Sequence, residues 1–204
     1  MHALQREIDN GPLVKPGFMV VLSAPSGGGK TSILKQLMAS GETAFRYSVS
    51  ATTRSPRDCE QHGQDYFFLS LDEFQRKAAQ GDFIEHALVH GNYYGTLREA
   101  VERWMAEGKI VLTDLDVQGG LNVKKQMGDR ALLIFIKPPS MESLRQRLAL
   151  RNTDKAEEID LRLQGAAQEL EMAGRYDFVL ENRDLAHTVQ EVLRIIKQHR
   201  TLSQ

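Results

Sequence analysis

The chain has 204 residues, 26 basic and 27 acidic side chains, and a net charge of −1. A chain of that length buries about 70% of its unfolded surface in one core, and the balanced charge offers no basic field for nucleic acid. The lone Cys59 excludes an internal disulfide and fits a reducing, cytoplasmic compartment. No apolar run approaches the ~18 residues of a membrane span.

Residues 1–17 are polar, with Arg6, Glu7 and Asp9, and lack the apolar core of a signal peptide. They read as a lead-in. Phe18-Met19-Val20-Val21-Leu22 is a buried strand candidate, followed by a Gly-rich turn and an amphipathic stretch from Thr31 to Ala39. Further buried strands are expected at Ile110–Thr113, Ala131–Ile136 and Phe178–Leu180. Helical spacing covers 140–150, 157–173 and Leu185–Arg200. Apolar runs alternating with helices predict an α/β fold with a parallel sheet. The segment from Ser48 to about Gly95 breaks that rhythm with extended runs and a short helix near 71–80, and another helix is expected near 97–107. It reads as an excursion carrying a second binding site.

The turn after the first strand is Ala24-Pro25-Ser26-Gly27-Gly28-Gly29-Lys30-Thr31. It matches the phosphate-loop pattern G-x-x-x-x-G-K-[ST] with Ala24 in the first glycine's place. Small residues let backbone N–H groups converge on phosphate oxygens, the helix N-terminus adds positive potential, and Lys30 adds a point charge. Thr31 offers a hydroxyl to Mg²⁺. Asp114 ends an apolar strand, where such proteins place an acid that orients Mg²⁺ or its waters. The motif alone does not separate a kinase from a GTPase or a motor. His86 and His90 are four apart, but no third ligand fits a metal site; a surface or packing role is expected. Trp104 and Met105 read as core.

Ser48-Val49-Ser50-Ala51-Thr52-Thr53-Arg54-Ser55-Pro56-Arg57 resembles the S-x-T-T-R-x-P-R run of the guanylate kinase family. Gly63–Phe68, Phe83-Ile84-Glu85, Gly91–Thr96, Asp114–Gly119, Pro138-Pro139-Ser140 and the Arg147–Arg151 stretch follow in the family's order. The resemblance covers about residues 18–197. It implies a P-loop three-layer αβα fold with a central parallel sheet, a small mixed GMP-binding insertion over about 48–95, and a helical lid over about 149–165. The core would be 18–47, 96–148 and 166–204. The implied reaction is ATP + GMP → ADP + GDP with Mg²⁺.

By the same resemblance, Arg54, Arg57, Tyr66 and Tyr94 contact the GMP phosphate, and Ser50, Glu85, Thr96 and Asp116 contact guanine. Gly95 and Asp114 also fall on the GMP side. Lys30, Arg57, Arg147, Arg151 and Arg162 are the implied catalytic cations, and Asn182 matches a position near the adenine. Mg²⁺ would be held through the nucleotide by Thr31, with Asp114 acting through water. Three residues depart from the family pattern: Cys59 replaces a small residue, Asn152 a glycine and Arg183 an acid. None removes a charge-neutralising group.

The residues also make chemical sense unaided. Guanine offers two adjacent donors beside the acceptor O6, and Glu85 with Ser50 and Thr96 supplies the matching acceptor and hydroxyls. Arg54 and Arg57, stiffened by Pro56, suit a phosphate monoester. A non-catalytic relative would lose Lys30 or the Gly-rich loop, and a sugar-phosphate kinase would lack the guanine set. A GTPase would need an Asn-Lys-x-Asp stretch, which is missing. The expected partners are therefore ATP and GMP, without nucleic acid or membrane; oligomeric state is not legible.

Overall fold

A computed structural model describes residues 16–89, 91–150 and 156–202. The lead-in before Pro16, His90, and the stretch holding Arg151 and Asn152 lie outside the described residues. In chain order, β1 (Met19–Ser23), α1 (Lys30–Ala39) and β2 (Phe45–Tyr47) open the chain. The excursion then contains β3 (Ala51–Thr52), β4 (Phe67–Phe68), α2 (Leu71–Gln80), β5 (Phe83–Val89) and β6 (Asn92–Leu97). The chain returns through α3 (Arg98–Ala106), β7 (Ile110–Asp114), α4 (Val117–Met127) and β8 (Ala131–Lys137). It ends with α5 (Met141–Ala149), α6 (Ala156–Glu171), β9 (Phe178–Glu181) and α7 (Leu185–Leu202).

The central sheet has the order β2-β7-β1-β8-β9, and every pairing in it is parallel. Alternation along β1 explains the three layers. Val20 and Leu22 face Ile33, Leu37, Val192 and Ile196 of α1 and α7. Met19 and Val21 face Val101, Val123 and Phe135, in the core that carries α3 and α4. Because side chains alternate across a strand, a sheet covered on both faces needs the continuous apolar runs seen here.

The expected elements form close to their predicted bounds, with two additions to the core, α4 and β2. β2 is a three-residue edge strand, Phe-Arg-Tyr, aligned on β7 through Phe45↔Ile110. Its sequence has no period to announce it; Phe45 is buried, and pairing to β7 alone holds the strand extended. Trp104 is half-buried against the α3/α4 side of the core, and Met105 is buried there.

The excursion folds as a mixed sheet in the order β4-β3-β6-β5, with β3 parallel to β4 and the other pairs antiparallel. Phe74 of α2 stacks on Phe83 at 4.4 Å and on Tyr93 at 5.4 Å, giving this sheet a core of its own. α2 starts with a reciprocal cap between Ser70 and Glu73. A fourth cluster, Leu144 and Leu148 with Leu163 and Ala166, joins α5 to α6. Leu170 of α6 also packs on the core on the α3/α4 side, and Leu144 and Leu148 lie against Gly27, so the pair is seated on the sheet and the phosphate loop as well.

Candidate active site

The loop between β1 and α1 lies at the carboxyl edge of the parallel sheet, where open α/β sheets bind ligands. Gly29 precedes α1 with φ 102°, a left-handed conformation that side chains resist, and a Cβ there would lie 2.5 Å from Asn182 Nδ2. No side chain caps α1 and its first turn carries no acid. Its leading N–H groups are thus left for an external anion. The loop from Ala24 through Pro25, Ser26, Gly27, Gly28, Gly29, Lys30 and Thr31 lines a cavity of about 330 Å³, together with Ser32 and Glu169.

Asn182 braces this loop from behind. It is 5% exposed, its Nδ2 donates to the Gly28 carbonyl at 2.9 Å, and its Oδ1 accepts from Thr188 Oγ1 at 3.2 Å. Both ends of the amide are engaged within the protein. Its backbone carbonyl accepts from Arg147 at 2.8 Å. Arg162 of α6 reaches the loop and donates to Ser26 Oγ at 2.8 Å. Two of the three expected lid arginines thus meet the phosphate loop or its brace; Arg151 lies outside the described residues.

A second cavity of about 240 Å³ opens beside the first. Its walls include Ser50, Tyr66, Glu85, Tyr94, Gly95, Asp114 and Asp116, all singled out in the sequence, together with Lys30 and Gly119. Lys30 lines both cavities, and its Nζ donates to the Leu115 carbonyl at 3.1 Å.

Register explains the heart of this cavity. Glu85 and Thr96 are directly opposed across β5 and β6, so their side chains share a face, and Thr96 Oγ1 donates to Glu85 Oε1 at 2.8 Å. A register irregularity between Phe83 and Glu85 occurs just before the pair. β6 runs on to Leu97, which keeps Thr96 in the second sheet rather than in the returning core. Burial pushes the Glu85 carboxyl up to about 7; Asp116 adds to the rise, and the Thr96 hydroxyl opposes it. A Cβ on Gly119 would lie 3.3 Å from Glu85 Oε2, so the absent side chain there keeps the space open.

The other predicted residues are held in different ways. Asp116 Oδ1 caps α4 by accepting from Gly119 N at 2.6 Å. Asp114 Oδ1 accepts from the Tyr47 hydroxyl at 2.7 Å, and burial, reinforced by that carboxylate, raises the Tyr47 pKa. Arg54 lies over the Tyr66 ring at 5.4 Å and pairs with Glu60 at 2.9 Å. The other Glu60 oxygen accepts from Arg57 N at 2.7 Å. Glu60 thereby ties the arginine-bearing loop, and Arg54 holds its carboxyl below the usual range. Arg57 itself is exposed and lines neither cavity. Cys59 has φ 74°, the only positive φ at a non-glycine among the described residues. His86 is exposed, and the described residues contain no group of three or more His, Cys, Asp or Glu able to hold a metal ion.

Sequence reasoning missed Tyr47, Glu60 and Glu169. Glu60 had a signal, since an acid three residues after Arg57 can close that turn. Tyr47 and Glu169 had none, because each meets the site only through tertiary packing.

A loop built for phosphates and a cavity with a buried carboxylate–hydroxyl pair, both lined by one lysine, make this a P-loop nucleotide-binding protein with a second ligand site. The family model for guanylate kinase matches residues 17–199. The guanylate kinase of Chlorobaculum tepidum is 48% identical over 176 residues, covering 86% of this chain and 90% of that protein. That of Bacteroides thetaiotaomicron is 44% identical, covering 89% of each. The crystal structure of guanylate kinase from Anaplasma phagocytophilum superimposes with a TM-score of 0.75 at 34% identity, covering 91% of this chain and 87% of that one. The chain belongs to the guanylate kinase family.

No helix among the described residues is long and apolar enough to cross a membrane.

Proposed function

We propose that the protein transfers the terminal phosphoryl group of ATP to GMP, and to dGMP, giving ADP and the nucleoside diphosphate, with Mg²⁺ bound to the donor nucleotide. The observation that carries this reading is that Lys30 lines both the phosphate-loop cavity and the cavity built by the second sheet. The donor belongs in the first and the acceptor in the second, so the transferring group passes beside one ammonium.

In the acceptor cavity, Glu85 takes the N1–H and N2–H₂ donors of guanine, while Ser50 serves its acceptor; the Thr96 hydroxyl, which donates to Glu85 Oε1, would have to turn to join it. Arg54, Tyr66 and Tyr94 hold the acceptor phosphate. Neither Arg54, which lies over the Tyr66 ring, nor Arg57 lines that cavity, so both would have to swing inward to meet the phosphate. An oxygen of the GMP phosphate bonds to the γ-phosphorus as the bond from that phosphorus to the β–γ bridging oxygen breaks, and ADP leaves. The attacking oxygen is already ionised near neutral pH, the second pKa of a phosphate monoester being about 6. No general base is needed. Lys30, Arg147, Arg151 and Arg162 oppose the charge on the transferring group, so catalysis rests on positioning and charge neutralisation.

The residues fit a nucleotide-borne magnesium ion. The first turn of α1 presents the Thr31 hydroxyl, and Asp114 stands at the end of β7. The described residues offer no cage that would hold the metal without phosphates. Thr31 would hold the ion directly and Asp114 through water; when bound, it neutralises charge on the phosphate oxygens.

The test is ADP formation measured with GMP, dGMP, AMP and UMP as acceptors. Turnover with GMP and dGMP far above AMP and UMP is expected. Loss of any acceptor-dependent ADP formation would favour a non-catalytic relative and overturn the reading.

A further inference from the structure

The phosphate-loop cavity has one wall residue from outside the loop and the start of α1: Glu169 of α6. Its Oε2 is buried and has no hydrogen-bond partner. Burial raises the Glu169 pKa, and Asp116 adds to the rise; the Lys30 charge works against it. A carboxylate oxygen without a partner is costly in a protein interior, and this one also repels any phosphate entering the cavity it lines. Such a group suits an anion site only when a cation and hydrogen donors come between it and the phosphates.

A nucleotide-bound magnesium ion brings both. Mg²⁺ sheds water reluctantly and keeps several waters beside its phosphate ligands, and those waters are strong donors. Glu169 lies seven residues, two helical turns, beyond Arg162 on α6, so the two share a face of the helix. Arg162 already meets the loop at Ser26. One face of α6 therefore offers the cradle a cation for phosphate and an anion for what accompanies it.

We propose that Glu169 accepts hydrogen bonds from water bound to the donor nucleotide's magnesium ion, so that α6 docks on the metal as well as on the phosphates. The proposal rests on the ATP–magnesium reading above. The rival role is that of a plain counter-charge to Lys30, which would treat metal-free and metal-bound nucleotide alike.

Calorimetric titration of the whole protein with ADP, in excess EDTA and in excess Mg²⁺, separates the two. In wild type, Mg²⁺ should tighten ADP binding. In Glu169→Gln the metal-free affinity should stay level or rise several-fold, because an anion has left the cradle. The gain from Mg²⁺ should shrink about tenfold, the usual effect of removing a carboxylate that orients a metal's ligands. Glu169→Asp, one methylene shorter, should recover part of that gain. Thermal melting of both variants without ligand controls for folding, and a wild-type-like melt is expected. An equal Mg²⁺ gain in wild type and Glu169→Gln would overturn the proposal and leave the donor reading standing. A wild type that gains nothing from Mg²⁺ would overturn both.

Discussion

Asn182 Nδ2 donates to the Gly28 carbonyl at 2.9 Å across 154 residues of chain, tying the end of β9 to the phosphate loop. The same amide accepts from Thr188 at 3.2 Å, so its two ends fix its orientation. Resemblance places this residue near the adenine; its side chain also braces the loop. Asn182→Ala should leave the buried Gly28 carbonyl short of a partner, at about 1–3 kcal/mol, while the Thr188 hydroxyl keeps its bond to the Asp184 carbonyl. Melting temperature should fall, ADP affinity should fall with it, and GMP affinity should hold. Equal losses for both nucleotides would mean that the brace does not act through the loop. Asn182→Asp should weaken ADP binding further, since a carboxylate would face the Gly28 oxygen.

Lys30→Met should lower kcat by about two to three orders of magnitude, the usual cost of removing a charge aimed at the reacting group. The folded protein loses one half-buried hydrogen bond, Lys30 to Leu115 O, so its stability should change by less than about 2 kcal/mol. Steady-state kinetics with a melting curve checks both halves of the expectation.

Glu85 gives the acceptor site a pH dependence. Its carboxyl is raised to about 7 from 4.5, so the proton is held more tightly in the folded protein. That contribution to stability is fully present below about pH 4.5 and is lost as pH rises through 7. Binding runs the other way, because guanine needs the ionised form. Guanosine, which has no phosphate to titrate, should bind more weakly as pH falls below 7, approaching tenfold per unit. Glu85→Gln should abolish that slope. A wild-type profile flat from pH 5 to 8 would count against the buried carboxylate as the acceptor of guanine's donors.

Cys59 pays a conformational cost at φ 74°. Glycine adopts that backbone freely, and Cys59→Gly should stabilise the protein by about 1 kcal/mol, raising the melting temperature by about 2–4 °C. GMP kinetics should change little, since Glu60 still ties Arg54 and Arg57 N. A lower melting temperature would show that the side chain makes a contact worth more than the strain.

Legibility in the sequence followed range. The strands at Met19–Ser23, Ile110–Asp114 and Ala131–Lys137 are buried on both faces, and burial on both faces demands continuous apolar runs. The phosphate loop was legible because its chemistry is local, from Ala24 to Thr31. The Glu85–Thr96 pair became visible only through resemblance, since eleven residues of chain separate them and the register of β5 on β6 brings them together. Tyr47 lies on a three-residue strand whose pattern carries no period, and it meets Asp114 across 67 residues. Glu169 reads as one more acid on an amphipathic helix until α6 is laid against the loop. Contacts of that kind are set by packing, which no window of sequence contains.

Glu85 discriminates between acceptors through the edge of the base. AMP presents a bare N1 where GMP presents N1–H, leaving the buried carboxylate opposite a lone pair. Sites built on such hydrogen bonds reject the mismatched ligand by roughly 10⁴-fold. Glu85→Gln keeps the shape but turns one acceptor into a donor. The measurement is kcat/KM for GMP and AMP in wild type and Glu85→Gln. The GMP value should collapse while the AMP value holds or rises, closing the gap between them by at least about a hundredfold. An unchanged GMP-to-AMP ratio would contradict the assignment of guanine to this cavity.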